Sequence, residues 1–241
     1  MKDCFSQNIN LLKDELFSKK GLLFLAGLVQ SLAGKNAEKC GSDRESILSK
    51  SGGVWIVTKI KFKINTQINN ADCFLAKTWP LPAGKVKVSR QFSLENNFGE
   101  QVVSGASEWC IININTRRPI KIEQNYLSSG YEYITEPSGA GDFKKINHQI
   151  TNQDFAFEYI ISENDIDING HTNNNVYTTI VLNSVNDTVF ENNKISEYEL
   201  HFVKETMLGQ KIKVYKTKIE NAVYVTGMHE ESVVFKACLN F

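Results

Sequence analysis

The chain has 241 residues, enough for one large domain or two small ones, and its 41% hydrophobic and 22% charged content excludes wholesale disorder. Lys plus Arg and Asp plus Glu number 27 each, which argues against nucleic-acid binding, a function that usually shows a basic excess. Five cysteines at 4, 40, 73, 110 and 238, with no Cys-x-x-Cys, argue against a disulfide framework or a zinc site and fit free thiols in a reducing cytosol.

The first element is an apolar run, GLLFLAGLVQSLAG, over residues 21–34. It is too short to span a bilayer. The acidic residues Asp3, Asp14 and Glu15 before it are atypical of a signal peptide. Leu25, Leu28, Val29, Leu32, Ala33 and Ala37 recur at helical spacing, and Gly41 can cap the end. The spacing predicts a helix over 21–40, largely apolar and so wrapped by other structure.

After Gly52-Gly53 the rhythm changes to a period of two, with Ile56, Thr58, Ile60, Phe62 and Ile64 against Val57, Lys59, Lys61 and Lys63. Strand-like runs follow over 72–79, 84–95 and 101–114, separated by Asn69-Asn70, Pro82-Ala83-Gly84 and Asn96-Asn97-Phe98-Gly99. The stretch 125–153 lacks periodicity and reads as a linker.

The second half repeats the order. A strand over 155–161 leads into a polar loop and a helix over 173–185. Strand-like runs follow near 197–205, 210–220, 222–229 and 231–240. At an offset of 138, Phe62, Ile64, Phe74 and Ala76 fall opposite Leu200, Phe202, Ile212 and Val214. The matching order points to a tandem duplication. The predicted class is α+β, two copies of a curved antiparallel sheet, each wrapped around its own helix. The halves are 1–124 and 154–241, joined by 125–153.

The chemistry concentrates in residues 163–177, ENDIDINGHTNNNVY. Asp167-x-Asn169-x-His171 places a carboxylate, an amide and an imidazole on one side of an extended segment. Gly170 permits a sharp turn. Asn173-Asn174 suits a helix N-cap, and a helix start presents N–H groups to a carbonyl oxygen that gains negative charge. The plain alternative is an Asn/Asp-rich loop that caps its own turns. The position at a strand-to-helix junction favours a site.

Asp-Ile-Asp-Ile-Asn-Gly-His-Thr-Asn-Asn followed by Val-Tyr resembles the active-site signature of acyl-ACP thioesterases of the plant and bacterial type, which are tandem hotdog proteins. VQSLAGKNAEKCG over 29–41 resembles the family's first central helix. Trp55, Thr78-Trp79-Pro80, Arg90-x-Phe92, Ser107-Glu108-Trp109 and Thr116-Arg117-Arg118-Pro119 resemble its landmarks in the expected order. The resemblance covers about residues 25–240.

The resemblance implies hydrolysis of the thioester of fatty acyl-ACP, with acyl carrier protein and a fatty acyl chain as partners. It implies no cofactor or metal beyond the phosphopantetheine that the substrate carries. It places Asp167, Asn169 and His171 at the family's motif positions, and Phe202-Val203-Lys204-Glu205 on the strand that carries its catalytic Glu, so Glu205 is the fourth site residue. Thr206 stands where plant members have Cys, which tells against a Cys-His mechanism.

In this reading Asp167 or Glu205 activates water, or Asp167 attacks the thioester directly. His171 orients and polarises, and Asn169 with a backbone N–H holds the carbonyl oxygen. No histidine precedes His148, so one site per chain is expected, built by the second half, with the first half shaping the acyl tunnel. Residues 1–20 depart from the family, which usually starts with a clearer strand.

Lys59, Lys61 and Lys63 read as a solvated face, or as a landing patch for acidic acyl carrier protein. Arg117 and Arg118 read as a turn or a carrier contact. Trp55, Trp79 and Trp109 read as core, and His201 and His229 as structural. A non-catalytic acyl- or carrier-binding protein and a hotdog dehydratase are the competing readings. No membrane span, signal or lipid motif is read, so a cytoplasmic location is expected; a homodimer is left open.

Overall fold

The computed structural model describes residues 3–10, 13–65, 73–122, 126, 127, 130–167, 170–192 and 194–241. The chain forms two compact units, Met1–Lys13 with Gly27–Asp142 and Asp14–Ala26 with Phe143–Phe241.

The first unit carries strands β1 (Phe5–Asn10), β2 (Gly53–Ile64), β3 (Cys73–Pro80), β4 (Val88–Asn96) and β5 (Gln101–Asn113). They lie antiparallel in the order β1-β3-β4-β5-β2. Ahead of β2 come the short helix α1 (Lys13–Leu16), the long helix α2 (Lys19–Lys39) and α3 (Arg44–Ser51). The start of α2, up to Ala26, belongs to the second unit.

Helix α2 ends where expected. Gly41 takes the left-handed conformation at φ 61°, and Ser42 N–H donates to Ala37 O at 2.9 Å, which satisfies a carbonyl of the last turn. Of the apolar residues at helical spacing, Leu25, Leu28, Val29, Leu32 and Ala33 are buried and Ala37 is half-buried; Ile60, Phe62 and Ile64 on β2 are buried too. Phe62 meets Phe92 edge to face at 6.3 Å.

Three features of this unit depart from the sequence reading. Residues 5–10, FSQNIN, form β1, paired in register from Phe5↔Thr78 to Asn10↔Cys73. The strand is mostly polar and lies at the end of the strand order, so it shows no apolar alternation. Helix α3 was not anticipated; it rests on Asp43, whose carboxylate accepts Ser46 N–H at 3.0 Å.

The third departure concerns the lysines. Lys61 is 2% exposed, and its Nζ donates to Asp142 O at 2.7 Å. Lys59 pairs with Glu108 at 3.4 Å. Ser138 bonds Gln91 and Gly105, and Trp79 Nε1 donates to Glu136 O at 3.1 Å. An irregular strap over 136–142 therefore covers Lys61, Lys59 is half-buried and paired, and Lys63 is exposed, so the three lysines form neither a uniformly solvated face nor a continuous landing patch.

The second unit carries β6 (Phe155–Ile160), α4 (Asn174–Ser184), α5 (Asp187–Asn192), β7 (Glu197–Phe202), β8 (Lys211–Ile219), β9 (Ala222–His229) and β10 (Ser232–Asn240). Its order, β6-β8-β9-β10-β7, repeats that of the first unit. The residues related by the offset of 138 now have a structural meaning. Phe62 and Ile64 lie on β2 as Leu200 and Phe202 lie on β7. Phe74 and Ala76 lie on β3 as Ile212 and Val214 lie on β8. All are buried except the half-buried Phe202.

Helix α4 buries Tyr177, Thr178, Ile180, Val181 and Leu182, and Tyr198 OH donates to Thr178 Oγ1 at 3.2 Å. On the opposite face of β7, His201 Nε2 lies 2.6 Å from Glu199 Oε1, which also accepts Lys144 N–H at 2.8 Å. His201 is thus part of the packing, and His148 stacks on Tyr224 at 5.5 Å. Among the described residues no helix is long and apolar enough to cross a membrane.

Candidate active site

The loop between β6 and α4 is built on a buried carboxylate that the motif reading passed over. Asp165 Oδ2 accepts both the N–H and the hydroxyl of Ser162 at 2.8 Å. Its Oδ1 accepts Tyr159 OH at 3.0 Å, and its backbone carbonyl accepts Asn173 N–H at 2.8 Å. One aspartate therefore ties the end of β6 to the start of α4. The signal was present in the sequence as Ser162-x-x-Asp165, a capping pair.

From this anchor the chain runs out and back. Ile166 and Thr172 form an antiparallel bridge. Asp167 N–H donates to His171 O at 2.8 Å, and His171 N–H donates to Asp167 Oδ1 at 3.2 Å. Gly170 N–H donates to Asp167 O at 3.0 Å with φ at 79°, a conformation that favours glycine. Asn169 lies outside the described residues.

Thr206 fastens this loop to the segment after β7. Thr172 N–H donates to Thr206 O at 3.0 Å, and Thr172 Oγ1 donates to the same oxygen at 2.8 Å. The Thr206 hydroxyl lies 2.8 Å from Thr172 Oγ1 and 2.9 Å from Tyr177 OH, and Thr206 N–H donates to Tyr177 OH at 3.1 Å. Thr206 is fully buried. Burial pushes the Tyr177 phenol pKa up, so it stays protonated and able to donate.

The knot sets the distance that matters. His171 and Glu205 each precede a member of it, and His171 Nδ1 lies 3.8 Å from Glu205 Oε1. The two side chains are 28% and 40% exposed, so a substrate can reach both. Among the described residues the second ring nitrogen, Nε2, has no hydrogen bond. Strand β7 ends at Phe202, three residues short of the expected 205, because Val203 N–H and Lys204 N–H both donate to Val234 O. Glu205 is thereby carried on a loop at the strand's end.

Two of the N–H groups at the helix start are already used. Asn173 Oδ1 accepts Asn175 N–H at 2.9 Å, and Asn173 O accepts Val176 N–H at 2.9 Å. These two donors serve the cap and not a substrate carbonyl. Cys238, the second unit's only cysteine, is buried on β10. Burial pushes its thiol pKa up, away from the thiolate that a nucleophile needs.

Comparison with known proteins matches this arrangement to a class. The model of the acyl-ACP thioesterase N-terminal domain matches residues 19–129, and that of the C-terminal domain matches residues 147–238. An acyl-ACP thioesterase from Bacteroides thetaiotaomicron has a similar fold, with a TM-score of 0.85 at 19% identity over 99% of this chain and 97% of that one. The 12:0-ACP thioesterase from Umbellularia californica gives 0.84 at 19% identity over 98% and 96%. The fold is α+β, a tandem hotdog.

The chain belongs to the acyl-ACP thioesterase family. Among curated proteins, a chloroplastic acyl-ACP hydrolase from Cuphea viscosissima is 26% identical over 74% of this chain and 42% of its own length. A chloroplastic palmitoyl-ACP thioesterase from Gossypium hirsutum is 25% identical over 83% and 48%. The chain spans about half the length, or less, of these curated relatives.

Proposed function

We propose that the chain hydrolyses the thioester of fatty acyl-ACP, releasing a free fatty acid and holo-ACP at the end of fatty-acid synthesis. The observation that carries this reading is the approach of His171 to Glu205 at 3.8 Å, held by the buried Thr172–Thr206–Tyr177 knot. An imidazole beside a carboxylate is a proton-transfer pair, and family membership supplies the reaction class.

Glu205 takes a proton from water as the water oxygen bonds to the thioester carbon. The C–S bond of the tetrahedral intermediate then breaks. The phosphopantetheine sulfur leaves with a proton delivered through His171, and the acid remains. Asn169 is assigned the carbonyl oxygen from its place in the motif. Asp167, whose carboxylate already holds His171 N–H, fits a positioning role better than direct attack on the thioester. The reaction needs no cofactor of its own.

The proposal places the chemistry in residues 154–241 and gives residues 1–124 the shaping of the acyl tunnel. The exposed Arg117 and Arg118 are the proposed contacts for acidic acyl carrier protein, since Lys61 of β2 is buried and Lys59 is paired with Glu108. A cytoplasmic location and a homodimer belong to the same reading and are tested by fractionation and light scattering.

The deciding experiment measures free fatty acid released from hexanoyl- to octadecanoyl-ACP by wild type and by His171→Ala. Hydrolysis lost in a folded variant supports the reading. Tight binding of acyl-ACP without hydrolysis by wild type would replace it with the non-catalytic one.

A further inference from the structure

The segment that carries Glu205 ends in a turn that the proposed chemistry does not use. Gln210 N–H donates to Met207 O at 3.1 Å and closes it. Gly209 takes the left-handed conformation at φ 79° that the third position of such a turn needs. Met207 N–H donates to Gln210 Oε1 at 2.9 Å, so the turn is closed a second time by a side chain. Gly209 N–H donates to Ile161 O and Ile161 N–H donates to Gln210 O, both at 2.9 Å, which fixes the turn to the end of β6.

A turn held this firmly nonetheless puts apolar side chains in water. Met207 is 43% and Leu208 55% exposed. Val203, just past the end of β7, and Ile160, the last residue of β6, are exposed as well. Turns ordinarily carry Gly, Pro, Asn, Asp or Ser, and nothing in the geometry of this one calls for Met or Leu. Exposed apolar side chains on a fixed segment mark a contact surface. The charges beside it are mixed. Lys204, Lys211 and Lys213 are exposed, and so are Glu158, Glu230 and Glu231. Lys211 pairs with Glu158 at 3.4 Å, and Lys204 Nζ donates to Ser232 Oγ at 3.3 Å. Apolar residues with a polar rim of both signs fit a protein partner. An anionic bilayer would be drawn by a basic excess, which these neighbours lack.

We propose that the Met207–Leu208 turn is an apolar docking point for the body of acyl carrier protein, and that it makes the chain favour a carrier-bound thioester over the same thioester on a free phosphopantetheine arm. The inference rests on the hydrolysis proposed above. Its argument is position. Met207 stands two residues after Glu205, so whatever sits on the turn sits at the mouth of the site. A second copy resting there would cover Glu205 and His171. The partner that must come to this mouth, and leave it after each turnover, is the one that brings the thioester. Because the turn is already rigid, docking orders little chain, and burial of its apolar surface goes into binding.

The test compares hydrolysis of octanoyl-ACP with that of octanoyl-phosphopantetheine, which has the same arm and no protein, by wild type, Leu208→Gln and Leu208→Met. In Leu208→Gln the ratio of the two kcat/KM values is expected to fall roughly tenfold, as lost burial of one large apolar side chain implies. The fall should come through KM for octanoyl-ACP. Leu208→Met keeps an apolar side chain of similar volume and should keep the wild-type ratio. A change that merely loosened the site would lower both substrates alike and leave the ratio where it was.

Titration of the same three proteins with holo-ACP keeps the two readings apart. If wild type cleaves neither substrate, the hydrolysis reading fails and holo-ACP affinity decides the docking, with roughly tenfold weaker binding by Leu208→Gln upholding it. The proposal is overturned by an unchanged ratio or, where neither substrate is cleaved, by holo-ACP affinity that is absent or the same in Leu208→Gln. A dimer or vesicle binding that Leu208→Gln abolishes while the ratio holds would give the turn to a second copy or to a lipid surface, and overturns it too.

Discussion

The hydroxyl of Thr172 lies 2.8 Å from both the carbonyl and the hydroxyl oxygen of Thr206. The residue after His171 is thus bonded to the residue after Glu205, and the separation of imidazole and carboxylate follows from a buried contact beneath them. Thr206 occupies the position where plant members of the family have Cys, and the structure gives it a supporting task.

Thr206→Val keeps the shape of the side chain and removes its hydroxyl, leaving Tyr177 OH and Thr172 Oγ1 each short of one partner. The expected cost is about 1–3 kcal/mol, read as a fall in the urea unfolding midpoint. Thr206→Ser keeps the oxygen and should recover most of the loss. Hydrolysis by folded Thr206→Val should also fall, because the His171–Glu205 distance is no longer pinned. Unchanged activity and stability would show that the knot is incidental.

Glu205→Gln should lower kcat/KM by about 10²–10⁴ if Glu205 is the general base. Its side chain is 40% exposed, so little stability should be lost. Asp167→Asn separates positioning from attack. Asparagine keeps the acceptor for His171 N–H, so a positioning role predicts a loss within about tenfold, smaller than that of a removed proton-transfer group. An acyl group trapped by hydroxylamine from wild type, but not from Asp167→Asn, would instead make Asp167 the nucleophile.

Lys61→Ala should act on stability and not on the carrier. Its Nζ donates to Asp142 O at 2.7 Å beneath the strap, so truncation should cost about 1–3 kcal/mol. KM for acyl-ACP should change by less than about twofold, since a covered charge steers no partner. A large rise in KM with unchanged stability would restore the landing patch.

Glu108 supplies a pH signature. Burial pushes its carboxyl pKa up, but hydrogen bonds from Lys87 and Thr58 and the charge of Lys59 outweigh burial and hold it below the ordinary value of 4.5. The folded pKa is the lower one, so the stabilisation is present above the unfolded pKa and is lost as pH falls through the folded value. Lys87→Ala should therefore unfold more readily than wild type at neutral pH, by under about 1 kcal/mol for so exposed a pair. The gap should close on titration below 4.5. A gap independent of pH would assign the effect to packing.

Much of the architecture was legible because its signals are local. Period-two alternation marked nine strands to within a few residues, since a strand with one covered face must alternate. The apolar spacing and Gly41 marked α2. The offset between Phe62 and Leu200 found the duplication because corresponding strands face corresponding cores. The polar strand β1 escaped, since an end strand with little covered surface carries no apolar rhythm. Lys61 misled for the opposite reason: its pattern is that of a solvated face, and only a strap of irregular chain from Glu136 to Asp142 buries it.

The site divides the same way. The sequence alone determined which residue types stand in the motif and that Thr, not Cys, follows Glu205. Only the tertiary structure decided that His171 meets Glu205, 34 positions away in the chain, that Asp165 anchors the loop, and that the Asn175 and Val176 N–H groups are spent on Asn173. Periodicity and spacing report what a residue's neighbours in the chain require. Which distant side chain fills the next hydrogen bond is set by the packing of β7 against β10 and of the loop against α4, and no local pattern encodes it.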